Sequence, residues 1–505
     1  MSAATSVDWG ANLPALQVVV PMLGAVMVAL VRRPGISWLI TLAVCLSMPV
    51  IAAMLLHQTL VSGTISYAMG SWEPPIGIEY RIDEINAFIL LLVSIMSAIV
   101  AAYMPRSIGN EIPPERQGWF YTMYLMALCG LLGMAITGDA FNIFVFMEIS
   151  SLAMYGMIAM GPDRRALVAA FQYLVIGTVG ATFYVIGIGL IFALTGSLNL
   201  YDIAQILPGV ETKTPIYAGL GFIAVGLSLK IALFPLHLWL PNAYAFAPSA
   251  ATAFLAATAT KVAIYLLIRF AYSIFGIQFT FSSPGIQGGL LLLACLGMIL
   301  PSLIAIFQVN VKRMLAYSSV SQVGYMILGI GIANEAGLTG GISHMFNHAI
   351  IKACLFLAIG SVFFTTGIRR IEQMAGLGRT MPLTMAAFVI AGLALIGVPG
   401  TAGFVSKWLL IQGAADAGMW WLVVVIVVSS ALAIFYIGRV IEVAWFRPPT
   451  EATQTPQAVP IEMQAMTWLL VLAVIYFGFN TDLSAGVPAR AAELLLQGWA
   501  VGGSQ

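Results

Sequence analysis

Four lysines stand inside long apolar runs: Lys230 in GLGFIAVGLSLKIALFPLHLWLP, Lys261 in TATKVAIYLLIRF, Lys352 in NHAIIKACLFLAIG and Lys407 in GFVSKWLLIQG. An uncompensated ammonium near the centre of a bilayer costs at least ~2.5 kcal/mol, so such groups face a bundle interior or a hydrated cavity and serve a function. One carboxylate, Glu148 in FNIFVFMEISSLAMYGM, has a comparable setting and is the expected counter-ion of Lys230. His344, His348 and Lys352 recur every four residues, which puts them on one face of a helix. Imidazole titrates near neutral pH and can pass a proton between its two nitrogens, so that face suits a relay. His237, close to Pro235, is a secondary candidate for the same work. Together these residues can hold, neutralise and hand on charge.

Other chemistries find less support. The HxxxH spacing of His344 and His348 lacks a third ligand and the acid of HExxH, so no metal is expected. Cys45, Cys129, Cys295 and Cys354 are scattered singly and read as small core residues. No cofactor-ligating cysteines or axial histidine pairs occur, so no cofactor is expected and any redox chemistry belongs to other subunits. Asp83, Glu84 and Asp139 sit at the ends of apolar runs, and Arg439 with Glu442 reads as an i, i+3 pair.

These residues must be positioned by a membrane protein. Of the 505 residues 61% are apolar and only 8% charged, far from the roughly 25% of soluble domains. A net charge of +1 and the absence of a basic cluster argue against nucleic acid as a partner. Windows long enough to cross a hydrocarbon core of about 30 Å number about fourteen. The leader MSAATSVDWGANLP lacks a basic region and a cleavage site, so the first span is expected to be retained. With both termini outside, inner loops and helix ends collect twelve Lys and Arg (32, 33, 106, 116, 164, 165, 312, 313, 369, 370, 379, 447) against three outside (81, 213, 490). The positive-inside rule therefore places both termini on the periplasmic or extracellular side.

Two of the spans carry breakers beside a lysine. Pro235 follows Lys230 in the seventh, and Gly397, Pro399, Gly400 and Gly403 precede Lys407 in the twelfth. Interrupted helices at matching positions of two halves point to inverted repeats with an ion path near the midplane. The expected fold is an all-α integral membrane protein with two inverted five-helix repeats, helices 4–8 and 9–13, with helices 7 and 12 broken. Its expected divisions are 1–117 for the first three helices, 118–273 and 285–447 for the repeats, and 462–505 for the last helix and a short tail.

The strings FVFMEISSLAMYG, LKIALFPLHLWLPNAYAFAPSA, KRMLAYSSVSQVGY, HMFNHAIIKACLFLAIG and GVPGTAGFVSKW resemble, in order, the signatures of the proton-conducting antiporter family. That family comprises the large membrane subunits of Mrp-type cation/proton antiporters, of respiratory NADH:quinone oxidoreductase and of energy-converting hydrogenases. The resemblance spans roughly residues 80 to 445. It implies that Glu148 is the acid of the fifth helix, Lys230 its partner lysine, Lys261 the relay lysine of the eighth, His348 the central histidine of the eleventh and Lys407 the terminal residue of the twelfth. Lys352 follows the histidine in the family signature and ranks second, with His237 and His344. The KRMLAYSSVSQVGY run is expected to be structural and gating.

Within the family, Asn242 and Tyr244 stand where NADH:quinone oxidoreductase members more often read LPDAH. With the lysine at 407, these resemble the D-type subunits of Mrp sodium/proton antiporters. The length and short tail suit that group better than the longer A-type subunit or one with a long lateral helix. The resemblance implies a proton-translocating subunit of a hetero-oligomeric complex in a bacterial cytoplasmic membrane, moving protons against a monovalent cation such as Na+, with membrane subunits and lipid around it. It also implies a transporter subunit rather than an enzyme. The alternative is the proton-pumping subunit of a redox-driven complex. A purely structural scaffold would leave five titratable groups in series unexplained.

Overall fold

The computed structural model describes residues 10–499 other than 32, 282, 283 and 455. Arg32, one of the charges weighed above, and the first nine residues therefore lie outside the described residues.

In hydrocarbon an isolated chain segment must satisfy its own backbone groups, so long uncharged runs become helices. Among the described residues thirteen helices are long and apolar enough to cross a membrane. Spans 1–6 are Leu13–Val31, Pro34–Ser62, Glu84–Glu111, Pro114–Ile136, Ala140–Ala159 and Arg165–Thr195. Span 7 is Thr214–Ile231, and spans 8–11 are Ser249–Ile274, Gly285–Ile306, Val311–Ile332 and Glu335–Thr366. Spans 13 and 14 are Trp420–Phe446 and Ile461–Phe479. Span 12 makes the fourteenth crossing in two pieces, Pro382–Ile396 and Ala402–Asp416. Fourteen alternating crossings put the start of span 1 and the end of span 14 on one face, the terminal face. Spans 8 and 10 are buried along almost their whole length, and spans 1, 2, 6, 9, 13 and 14 form the periphery.

Several acids and amides at span ends are caps. Asp83 accepts from Asn86 N and Asp139 from Asn142 N, while Asn310 and Asn334 do the same for spans 10 and 11. Each satisfies a backbone donor that the first helical turn leaves free. On the terminal face a hairpin of Ile65–Ala68 and Glu79–Ile82, in the register Ile65 to Ile82, lies between spans 2 and 3. It was not foreseen from the sequence.

Two short bridges repeat across the chain. Asp139 pairs with Asn199 on the terminal face, and Asn310 pairs with Arg370 on the opposite face. The bonds correspond: Ala140 N to Leu198 O and Leu200 N to Gly138 O in one, Val311 N to Arg369 O and Ile371 N to Val309 O in the other. Gly196 and Gly367, both left-handed, end the preceding spans. The positions 139, 196 and 199 each lie 171 residues before 310, 367 and 370.

Both breaks are present. Span 7 stops at Ile231, Ala232 takes φ of +60°, and helix resumes at Trp239. Trp239 Nε1 donates to Leu229 O at 2.9 Å, occupying a carbonyl near the broken end, and its ring stacks 3.8 Å over Tyr173. Span 12 stops at Ile396, where Gly397 has φ of +98°. Span 8 is interrupted as well, at Thr258, whose hydroxyl donates to Phe254 O at 2.7 Å, and it ends in a π-helical turn, Arg269–Ile274. Back-bonding threonines bend helices.

One expectation needs correction. Arg439 does not pair with Glu442: the helix widens into a π turn from Glu442, which turns toward Arg447 at 3.0 Å, while Arg439 bonds the carbonyls of Ile306 and Gln308 and approaches Glu372 at 3.5 Å. Lys312 does lie at a helix end, as the second residue of span 10, and is only 4% exposed.

Candidate functional site

Lys230 lies in the last turn of the first half of span 7. That is the carbonyl end of a helix, where the backbone dipoles favour a cation. Its Nζ donates to Ser151 Oγ at 2.7 Å and stands 3.7 Å from Glu148 Oε1. The longer distance is an ion pair without a hydrogen bond. Ser151 and Glu148 are both on span 5, so the ammonium meets a neutral and a charged partner on one helix. Glu148 Oε1 has no hydrogen-bond partner among the described residues. Tyr155 lies beside them, edge-on to Tyr173.

A cavity of about 20 Å³ adjoins Lys230, lined among others by Ser150, Ser151, Tyr173, Ala259 and Ala263. A single water needs roughly 10–15 Å³ and polar partners, and the cavity offers both. Its far wall is span 8 on either side of Lys261. Lys261 is fully buried, and its Nζ bonds Ala256 O and, at 3.3 Å, Thr260 Oγ1. The interruption at Thr258 lies between Ala256 and the lysine. The first half of span 8 packs against span 11, which carries His344, His348 and Lys352.

The stripe on span 11 is present and buried. His348 has no hydrogen-bond partner on either ring nitrogen among the described residues, and its ring centroid is 6.0 Å from that of His344. His344 Nε2 meets Gln322 Oε1 at 3.0 Å and Nδ1 meets Ser406 Oγ at 2.9 Å. An amide oxygen only accepts, so Nε2 carries the hydrogen. Lys352 Nζ bonds Ser318 Oγ and, at 2.9 Å, Leu315 O.

Lys407 fills the break in span 12. Its Nζ donates to Leu395 O at 2.9 Å, Ile396 O at 3.0 Å and Ser430 Oγ at 3.0 Å, and lies 4.7 Å from the centre of the Tyr325 ring. The carbonyls are those freed where the first half ends. The neighbouring Ser406 connects this site to His344. Glu148, Lys230, Lys261, His348, His344 and Lys407 thus follow one another through the protein interior. His237 stands apart at the break of span 7, packed on Phe234 and near Tyr317, with Nδ1 unpartnered among the described residues.

Sequence reading missed the neutral members. Ser318, Gln322 and Tyr325 of span 10, at spacings of four and three, meet Lys352, His344 and Lys407 in turn. Their helical spacing in KRMLAYSSVSQVGY was the available signal. Ser151, Ser406 and Ser430 carried none. No group of three or more His, Cys, Asp or Glu suited to a metal occurs among the described residues.

Known proteins share this arrangement of chain. Residues 137–433 match the family described as NADH:quinone oxidoreductase/Mrp antiporter, transmembrane. An N-type subunit of NADH-quinone oxidoreductase from Desulforudis audaxviator is 43% identical over 94% of this chain and 98% of its own. A D-type Na(+)/H(+) antiporter subunit from Alkalihalophilus pseudofirmus is 31% identical over 80% of each. A chain of the Mrp complex from Dietzia sp. superposes with a TM-score of 0.89 at 25% identity, covering 97% of this chain and 98% of that one. A chain of a membrane-bound sulfane sulfur reductase, an archaeal respiratory membrane complex, gives 0.88 at 31% identity over 96% and 98%.

Proposed function

The chain belongs to the NADH:quinone oxidoreductase/Mrp antiporter membrane family, and from that premise we propose that it moves protons along the row from Glu148 to Lys407. It is an antiporter-like, proton-pumping membrane subunit of Mrp or complex I type. The observation that carries the proposed route is Lys230, bonded to Ser151 and 3.7 Å from Glu148. Desolvation favours the neutral form of an ionisable group, and close approach of an opposite charge favours the charged form. Closing and opening the pair therefore switches Lys230 between holding a proton and releasing it. A released proton passes to Lys261 across the small cavity, on through His348 and His344, and reaches Lys407. The matched bridges, 171 residues apart and on opposite faces, support inverted repeats of spans 4–8 and 9–13.

Neighbouring subunits supply the drive in this reading. The Glu148 side chain is 24% exposed, on the outward stripe of span 5 with Phe141, Val145 and Leu152. A carboxylate at that depth is not left to acyl chains, so another membrane subunit packs there, with lipid over the remaining periphery. Sodium is the counter-ion of first choice, on the LPNAY and Lys407 features and the shape shared with the Mrp complex. The 43% identity to the oxidoreductase subunit favours a redox drive as the second reading. The excess of Lys and Arg on the face opposite the chain ends makes that face cytoplasmic.

The test uses everted vesicles containing the whole complex. Lys230→Ala or Glu148→Ala is expected to abolish the driven pH change with the complex still assembled, and full activity in either variant rejects the route. Dependence on added Na+ identifies the antiporter, whereas dependence on an electron donor alone identifies the redox pump.

A further inference from the structure

Span 8 carries a buried charge cluster at each end, and span 3 supplies the acid to both. On the terminal face Asp83 takes Arg269 in a two-pronged pair, 2.7 Å on each arm. Arg269 also donates to Tyr265 and Ser273, and the Trp499 ring lies 4.8 Å from it. A guanidinium does not give up its proton. Arg269 therefore releases no proton at this end.

The opposite end is built from groups that do exchange. Glu111, the last residue of span 3, is 8% exposed. Both of its carboxylate oxygens accept from Ser249 N, at 3.1 and 3.0 Å, and one accepts from Ser107 Oγ at 3.1 Å. Lys312 Nζ donates to Ser249 Oγ at 2.9 Å and to Ala247 O at 3.4 Å. No direct ion pair joins Glu111 to Lys312 among the described residues; Ser249 stands between them. Arg369, the other cation whose charge reaches Lys312, is held by Asp163 at 3.3 Å. Tyr103, Ser107 and Glu111 lie four apart on span 3, and Tyr103 Oη reaches Leu357 O at 3.0 Å and Ser361 Oγ at 3.3 Å on span 11. That polar stripe points from Glu111 toward Lys352, the buried lysine that the Glu148 to Lys407 row leaves unused.

We propose that Glu111 and Lys312, joined through Ser249, form a proton-loading site on the face opposite the chain ends, while the Asp83 to Arg269 pair closes the other end of span 8. Ser249 bonds Glu111 through its backbone N and Lys312 through its hydroxyl, so it is no hydroxyl bridge. A proton taken up on the Glu111 carboxylate leaves its oxygen and ends on neutral Lys312 Nζ when the flexible lysine leaves Ser249 Oγ for the carboxyl. The products are a carboxylate and an ammonium, so charge and atoms balance. The proposal rests on the proton-translocating reading above.

Everted vesicles of the whole complex expose this face to the medium, whose pH can be set. Glu111→Gln and Lys312→Gln are expected to transport about tenfold more slowly near pH 8, and to recover as the medium approaches pH 6. Glu111→Asp is expected to keep the wild-type profile, and varying the pH inside the vesicles is expected to change nothing. Lys312→Gln retains donors for Ser249 and Ala247, so it decides the matter if Glu111→Gln fails to assemble. Wild-type rates in both Gln variants, or an equal loss at every pH that Asp does not relieve, overturn the proposal. In that event an inactive Lys230→Ala leaves the translocation reading standing; an active one removes it.

Discussion

Lys230 stops 3.7 Å short of Glu148 and bonds Ser151 at 2.7 Å instead. The lysine is attracted by the charged partner and held by the neutral one. A small movement suffices to exchange the two, as a switch between proton-holding and proton-releasing forms requires.

Removing the neutral partner tests that balance. A hydrogen bond to a charged group contributes roughly 1.5–3 kcal/mol, or about tenfold and more in a partition. Ser151→Ala is therefore expected to draw Lys230 onto Glu148 and slow the initial transport rate about tenfold, with the amount of assembled complex unchanged. A wild-type rate would show that Ser151 does not hold the lysine.

Gly177 leaves the room in which this happens. A Cβ there would fall 2.0 Å from Tyr155 Oη and 3.5 Å from Lys230 Nζ. Overpacking of this kind costs about 1–3 kcal/mol. Gly177→Ala is expected to lower the melting temperature and the transport rate together, and adding Tyr155→Phe to restore much of both. Failure of the double variant to recover would place the damage elsewhere.

Lys407 has two duties that substitution separates. Two of its three hydrogen bonds satisfy the carbonyls at the break and the third goes to Ser430 Oγ, so Lys407→Met leaves buried acceptors without donors, at about 1–3 kcal/mol for each. Lys407→Met is expected to melt earlier and not to transport. Lys407→Arg keeps donors but not a releasable proton, and is expected to melt later than Lys407→Met while remaining inactive. Transport by the arginine variant would remove Lys407 from the proton path.

One charge cluster is expected to be silent to pH. Asp163, in the loop between spans 5 and 6, is held at about 2 by hydrogen bonds from the Arg165 side chain and backbone, below its ordinary 3.8. A depressed carboxyl stabilises above its unfolded pKa and loses that contribution only as pH falls through the folded value. Its clasp on Arg165 and Arg369, at 2.6 and 3.3 Å, is thus intact throughout the physiological range. Asp163→Asn is expected to leave the shape of the transport pH profile unchanged between about pH 5 and 9. A displaced profile would contradict this.

The sequence showed charges more readily than what surrounds them. Glu148, Lys230, Lys261, His348 and Lys407 stood out because hydrocarbon makes an ionisable side chain conspicuous, and the breaks in spans 7 and 12 because Pro and Gly mark them. Ser151, Ser406 and Ser430 did not, since serine is unremarkable in a membrane helix until a lysine or histidine is seen beside it. The interruption of span 8 carries neither Pro nor Gly, only the back-bonded Thr258. The burial of Lys312 was not legible because its partners, Ser249 and Ala247, are more than sixty positions away in the chain.

The division of span 12 bears on how the protein is made. Its first half, Pro382–Ile396, has 15 residues, about 22 Å of helix against some 30 Å of hydrocarbon. The second half brings a lysine to the same depth. Neither half is a sound passenger for lateral release from a translocation channel on its own. Span 12 is therefore expected to enter the bilayer more readily beside span 13, whose Ser430 takes the ammonium.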